Sequence, residues 1–105
     1  MAERNIDWTK TADIQFIGIL EYWVHRNKSN RYSLKLLRLV SERVNKIVRS
    51  PELYKKCGFK DLRVSILKSY SIYYSTTKEQ LIIWAFWDNR QNPEKLLQAL
   101  LNKKA

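Results

Sequence analysis

The corner Asp88-Asn89-Arg90-Gln91-Asn92-Pro93 concentrates the reactive side chains of this 105-residue chain. It follows directly on the apolar run Leu81 to Trp87. A buried strand that delivers an aspartate, an arginine and two asparagines to its end sets a proton acceptor, an anion-binding cation and polar donors at one rim. Upstream, Arg63 could bind phosphate. Lys68, Tyr70, Tyr73 and Asp88 are candidate donors or acids nearby. The single histidine, His25, and the single cysteine, Cys57, have no neighbours at metal-ligand spacing. No metal or cofactor is expected, nor a catalytic role for Cys57.

Other readings of these residues stay open. Arg90 paired with Asp88 serves equally well as a structural ion pair tying the strand end to the last helix. Tyr70 and Tyr74 share a strand face with Ile72, where core packing competes with base stacking. Trp87 at the strand end either packs on a helix or stacks on a ligand.

The elements that must position these residues follow from periodicity. Arg4 to Trp8 suits a short first strand. Thr9 or Thr11 caps a helix of about residues 12–25, with Ile14, Ile17, Leu20 and Val24 at helical spacing. After a turn near Ser29 or Asn30, residues 32–49 form a second helix. Its Leu37, Val40, Val44 and Ile47 lie opposite Lys35, Arg38, Lys46 and Arg49. Ser50-Pro51 ends it, because the residue before proline avoids helical geometry. Residues 52–61 read as a connection holding Lys55, Lys56 and Lys60. Leu62 to Leu67 and Tyr70 to Ser75 alternate as strands across a tight Lys68-Ser69 turn. Leu81 to Trp87, apolar on both faces, suits a covered central strand. Asn92-Pro93-Glu94 is a helix start, with Leu96, Leu97, Leu100 and Leu101 on its apolar side and Lys103 and Lys104 at its C-terminal end. The expected fold is α+β in the order β-α-α-β-β-β-α: a small antiparallel sheet of three to four strands packed on an N-terminal helical hairpin, in one domain spanning residues 1–105.

Charge narrows the partners. The net charge is +10, and residues 26–60 hold eleven basic residues against Glu42 and Glu52. A stripe with few acids to offset it repels itself, so a polyanionic or acidic partner is expected. Lys35, Arg38, Lys46, Arg49, Lys55, Lys56, Lys60 and Lys68 are the candidate nucleic-acid contacts. No apolar run reaches the ~18 residues of a membrane span. With one cysteine and no signal-like N-terminus, the expected compartment is the cytoplasm.

Element order and length resemble the RelE/ParE superfamily of bacterial type II toxins. The resemblance runs from Trp8-Thr9-Lys10-Thr11-Ala12 through Ser50-Pro51 to Arg63-Val64 and Tyr70-Ser71-Ile72-Tyr73-Tyr74. It closes on Phe86-Trp87-Asp88-Asn89-Arg90-Gln91-Asn92-Pro93. It implies a toxin that arrests growth when free of an acidic, partly disordered antitoxin. That antitoxin would lay a helix in a groove beside the hairpin or add a strand to a sheet edge. RelE-like members cut mRNA on the ribosome without a metal. The resemblance would then make Arg63, Arg90, Tyr70 and Asp88 the catalytic set of an endoribonuclease. ParE-like members inhibit DNA gyrase without hydrolysis. The chain departs from the RelE pattern in carrying Ser71 and Ser65 where an arginine and a lysine are expected, and Trp87-Asp88 where some members have histidine. Ribosome-dependent mRNA cleavage is the leading expectation, gyrase inhibition the second, and a non-toxic nucleic-acid-binding or adaptor module the third.

Overall fold

Residues 4–101 are described by the computed structural model of this chain; Lys103 and Lys104 lie outside them. Strand β1 (Asn5–Trp8) leads into helices α1 (Lys10–Asn27) and α2 (Arg31–Arg49). A 3-10 turn, Pro51–Leu53, precedes β2 (Lys55–Lys56), β3 (Arg63–Leu67), β4 (Tyr70–Thr76), β5 (Gln80–Asp88) and α3 (Pro93–Leu101).

The sheet has five strands in the order β1-β5-β4-β3-β2. Two features correct the expected three-to-four-stranded antiparallel sheet. First, β1 runs parallel to β5, with Ile6 beside Leu81 and Trp8 beside Ile83. Second, Lys55 and Lys56, expected in a connection, pair with Val64 and Arg63 as a short edge strand. A Lys-Lys strand on an edge discourages further pairing there.

Local chemistry sets the helix ends. The Thr9 hydroxyl accepts a bond from the Ala12 N–H at 3.1 Å, and Asp13 sits in the first turn of α1. α1 closes on Lys28, whose backbone is left-handed (φ 50°) with its N–H bonded to the Val24 carbonyl. A side chain there is strained, and glycine is not. Lys28→Gly is expected to raise stability by about 1 kcal/mol, read as a shift in the denaturation midpoint. Ser33 Oγ donates to the Leu20 carbonyl at 2.6 Å and ties the two helices. At the start of α3, Glu94 N–H bonds Asn92 Oδ1 at 2.9 Å, and Pro93 opens the helix.

The main core lies between the hairpin and one sheet face. It joins Ala12, Phe16, Leu36, Val40, Val44 and Ile47 to Leu67, Tyr70, Ile72, Tyr74, Leu81, Ile83 and Phe86. Leu36, not the expected Leu37, faces this core; Leu37 is 42% exposed. The far face is covered by α3, with Leu62, Ala85 and Leu100 at its centre and Leu96 half-buried; Leu97 and Leu101 stay exposed. β5 is therefore central and covered on both sides. The pairing jumps from Tyr73–Ala85 to Tyr74–Ile83, so Trp84 is an extra residue on β5. This bulge re-phases the alternation, which puts Ile83 and Phe86 on one face and Ala85 on the other.

Candidate functional site

The corner after β5 is built by three elements. Register sets Tyr70 of β4 directly beside Asp88 of β5. From α1, Trp23 Nε1 donates to Tyr70 Oη at 2.9 Å. The indole meets Tyr22 and Tyr32 edge-on at 5.1 and 5.0 Å between centroids. Arg90 grips Asp88 as a fork, with Nε to Oδ1 at 2.9 Å and Nη2 to Oδ2 at 2.7 Å, and its backbone N–H also reaches Oδ1. The same guanidinium stands 5.9 Å from the Trp23 ring centroid. Ser71 Oγ donates to Asn89 Oδ1 at 2.8 Å, and Asn89 N–H bonds the Ser69 carbonyl, so the β3–β4 turn and the corner are tied together.

Electrostatics restrict what this corner can do. The Arg90 hydrogen bonds hold the Asp88 carboxyl below its ordinary range, against a smaller opposing effect of burial, and Asp88 in turn raises Arg90. Asp88 is thus ionised at neutral pH, with no proton to give. Burial pushes the Tyr70 phenol up, which the Trp23 bond partly offsets. It stays protonated, accepting the Trp23 N–H and keeping its own O–H to donate. The result is a rigid ion pair against an aromatic cluster, suited to docking and stacking more than to proton transfer.

Arg63 is elsewhere. It pairs with Tyr74, whereas Leu67 at the other end of β3 pairs with Tyr70. Four steps along a strand separate Arg63 from the corner by about 13 Å. There Arg63 Nη1 donates to the Tyr54 carbonyl at 2.6 Å, and Tyr74 Oη donates to the Pro51 carbonyl at 2.6 Å. Sequence reasoning passed over Arg43. Its Nη1 donates to Ser65 Oγ and the Ile66 carbonyl, both at 2.8 Å, and its guanidinium lies 5.6 Å from the Tyr54 centroid. The signal was its place in α2, between Val40 and Val44 on the buried stripe and the outward cations. Ser65, noted only as a departure from a lysine, is fully buried as the acceptor for this arginine.

The expected nucleic-acid contacts are all exposed. Lys35, Arg38, Lys46 and Arg49 face outward on α2. Lys55 and Lys56 form the edge strand, and Lys60 follows with its ammonium 5.6 Å from the Phe59 centroid. Lys68 sits apart, at the β3–β4 turn, with a left-handed backbone (φ 56°). Among the described residues only Arg90 forms an ion pair. No cluster of three or more His, Cys, Asp or Glu among them could hold a metal ion. No described helix is long and apolar enough to cross a membrane.

An open groove of about 640 Å³ runs between α1, α2 and β1, lined by Ile6, Trp8, Phe16, Ile17, Leu37 and Val44 among others. Ile6, Ile17 and Leu37 are 39%, 46% and 42% exposed, so apolar side chains stand uncovered in the groove, beside the polar Asp13, Ser41 and Asn45.

The buried tyrosines give a direct check on this packing. Burial pushes Tyr74 up to about 12, against the pull of Arg63, and raises Tyr73 as well as Tyr70. An unfolded tyrosine titrates near ~10. A phenol whose folded value is raised contributes stability that is whole below the unfolded value and is lost as pH rises from there through the folded one. The expected ultraviolet titration therefore has three of the six tyrosines ionising late, with unfolding as pH climbs from about 10 toward 12. Six tyrosines titrating together in the folded protein would contradict the packing.

Comparison with known proteins agrees with this architecture. Curated protein sequences give no match. A solved structure described as a chromosomal ParDE TA system from P. aeruginosa superposes with a TM-score of 0.67 at 16% identity, covering 80% of this chain and 94% of that one. At that identity the likeness shows a shared fold. The sequence model for the ParE toxin of the type II toxin-antitoxin system, parDE, matches residues 6–93. That span takes in all but the first residue of the sheet, the helical hairpin and the Asp88–Arg90 corner, and it places this chain in the ParE toxin family.

Proposed function

We propose that this chain arrests growth by binding DNA gyrase, with no bond broken by its own residues, and that an acidic, partly disordered antitoxin neutralises it. The observation that carries this reading is the separation of Arg63 from the other three candidate catalytic groups. Arg63 sits at the far end of β3 from Tyr70, Asp88 and Arg90, and bonds the Tyr54 carbonyl. Asp88 and Arg90 neutralise one another. RNA cleavage through the 2′-hydroxyl needs a base, an acid and cations around one phosphate. Here the one carboxylate of the set, Asp88, is held by Arg90, and Arg63 stands at the other end of the sheet strand from both. The family match supports the same reading, because gyrase inhibition is what a ParE-like resemblance implies.

The antitoxin has a place to bind. The groove between α1 and α2 offers uncovered apolar side chains to an amphipathic helix, and α2, which forms one wall, carries exposed cations for acidic side chains farther along the same segment. Gyrase as target places the toxin in the cytoplasm. Pulse-labelling within minutes of induction tests the mechanism in cells. DNA synthesis is expected to fall first. An initial fall in protein synthesis would instead favour mRNA cleavage on the ribosome, and no fall in either would favour a non-toxic adaptor.

A further inference from the structure

The outward side of α1 holds a feature that neither the core nor the groove uses. Ile14 and Tyr22, 59% and 53% exposed, stand four residues either side of Gly18. A Cβ on Gly18 would meet nothing within 4 Å, and its backbone is not in the left-handed region. A glycine inside an exposed helix costs about 1 kcal/mol relative to alanine. Nothing within this chain makes use of the missing side chain. Close approach of another backbone would. The notch opens into a second hollow of about 400 Å³, which Ile14 and Tyr22 share with Trp23, Phe86 and Trp87 and which reaches Asp88 and Gln91 of the corner after β5. The residues of α1 that line the antitoxin groove are others: Asp13, Phe16, Ile17 and Leu20.

Charge indicates the occupant. Asp13 belongs to the other groove, so on this side of α1 Glu21 offsets one of Lys10 and Arg26, and the Asp88 that lines the hollow is paired with Arg90; the patch is nearly neutral, whereas the whole chain carries +10. A polyanion or acidic segment gains nothing from a neutral patch and would favour α2. Two copies of a strongly basic chain, by contrast, can approach at little Coulomb cost only where charge is balanced. The patch is also self-complementary. An antiparallel crossing of α1 on α1, with its twofold axis at Gly18, sets Ile14 against Tyr22 of the second copy, and the symmetry repeats the pair.

We propose that two copies of this chain pair through α1, crossing at Gly18, with the Ile14 and Tyr22 side chains of each copy entering the hollow of the other. The groove toward α2 stays open in this dimer, so antitoxin binding and pairing are independent.

Sedimentation of the purified full chain over a concentration series tests the proposal. The wild type is expected to dimerise. Gly18→Gln fills the notch, and is expected to weaken self-association by at least about tenfold while the melting temperature of the monomer holds or rises. A second variant does not depend on that result. Gly18→Cys combined with Cys57→Ser is expected to give a disulfide-linked dimer on mild oxidation, and Lys35→Cys in the same background is not. A wild type that stays monomeric, a Gly18→Gln protein that dimerises as well as wild type, or absence of the Gly18→Cys cross-link would each overturn the proposal.

Discussion

Phe86→Ala is expected to destabilise the fold by about 3–5 kcal/mol, and to abolish growth arrest along with it. Phe86 is 1% exposed and joins three elements of the main core. Its ring lies 4.6 Å from Phe16 of α1, 5.3 Å from Tyr70 of β4 and 6.4 Å from Trp8 of β1. Its N–H is held by Gln15 Oε1 at 2.9 Å, which satisfies β5 where β1 has already ended. Deleting the ring leaves a cavity lined by rigid aromatic groups that cannot collapse into it. For a domain of this size the loss is a large fraction of the total stability, about 5–15 kcal/mol. Urea denaturation gives the number directly. A loss under about 1 kcal/mol would mean that this aromatic cluster is not the packing centre.

Leu37→Glu is expected to leave growth arrest intact and to prevent its neutralisation. Leu37 is 42% exposed and lines the α1–α2 groove, so the substitution is tolerated in the free toxin. In the complex the carboxylate would be buried against Ile17 and Val44 without a partner, a cost of several kcal/mol that weakens antitoxin binding by about 100-fold or more. It also sets a like charge against an acidic segment. Co-expression with the antitoxin should then fail to restore growth. Full rescue, with unchanged affinity in a titration of the two purified proteins, would move the antitoxin off this groove.

The helical hairpin, the alternation of Tyr70, Ile72 and Tyr74 and the Asn92-Pro93 helix start were legible because each depends on local spacing. Other features depend on tertiary pairing. β1 is parallel to β5 because the chain returns across the whole sheet before meeting it, and no local pattern encodes that return. Lys55 and Lys56 have no apolar period, so only their partners reveal a strand. The bulge at Trp84 was hidden because a run buried on both faces shows no alternation to break. Leu37 was assigned to the core since α2 has leucines at 34, 36, 37 and 39, more than one face can bury. In the candidate site, the Tyr70, Asp88 and Arg90 grouping follows from the corner motif. The distance to Arg63 follows from the register fixed by the Lys68-Ser69 turn. Trp23 stands outside the Ile14, Ile17, Leu20 and Val24 spacing, although its N–H is what anchors Tyr70.

The most direct measurement is DNA supercoiling by purified gyrase in the presence of this chain, beside mRNA integrity on translating ribosomes. Inhibition of supercoiling, retained by both Arg63→Lys and Tyr70→Phe and relieved by the antitoxin, with mRNA left intact, is the result expected of a toxin that binds without catalysis. Cleaved mRNA on ribosomes with gyrase unaffected, and loss of that cleavage in Arg63→Lys or Tyr70→Phe, would contradict it.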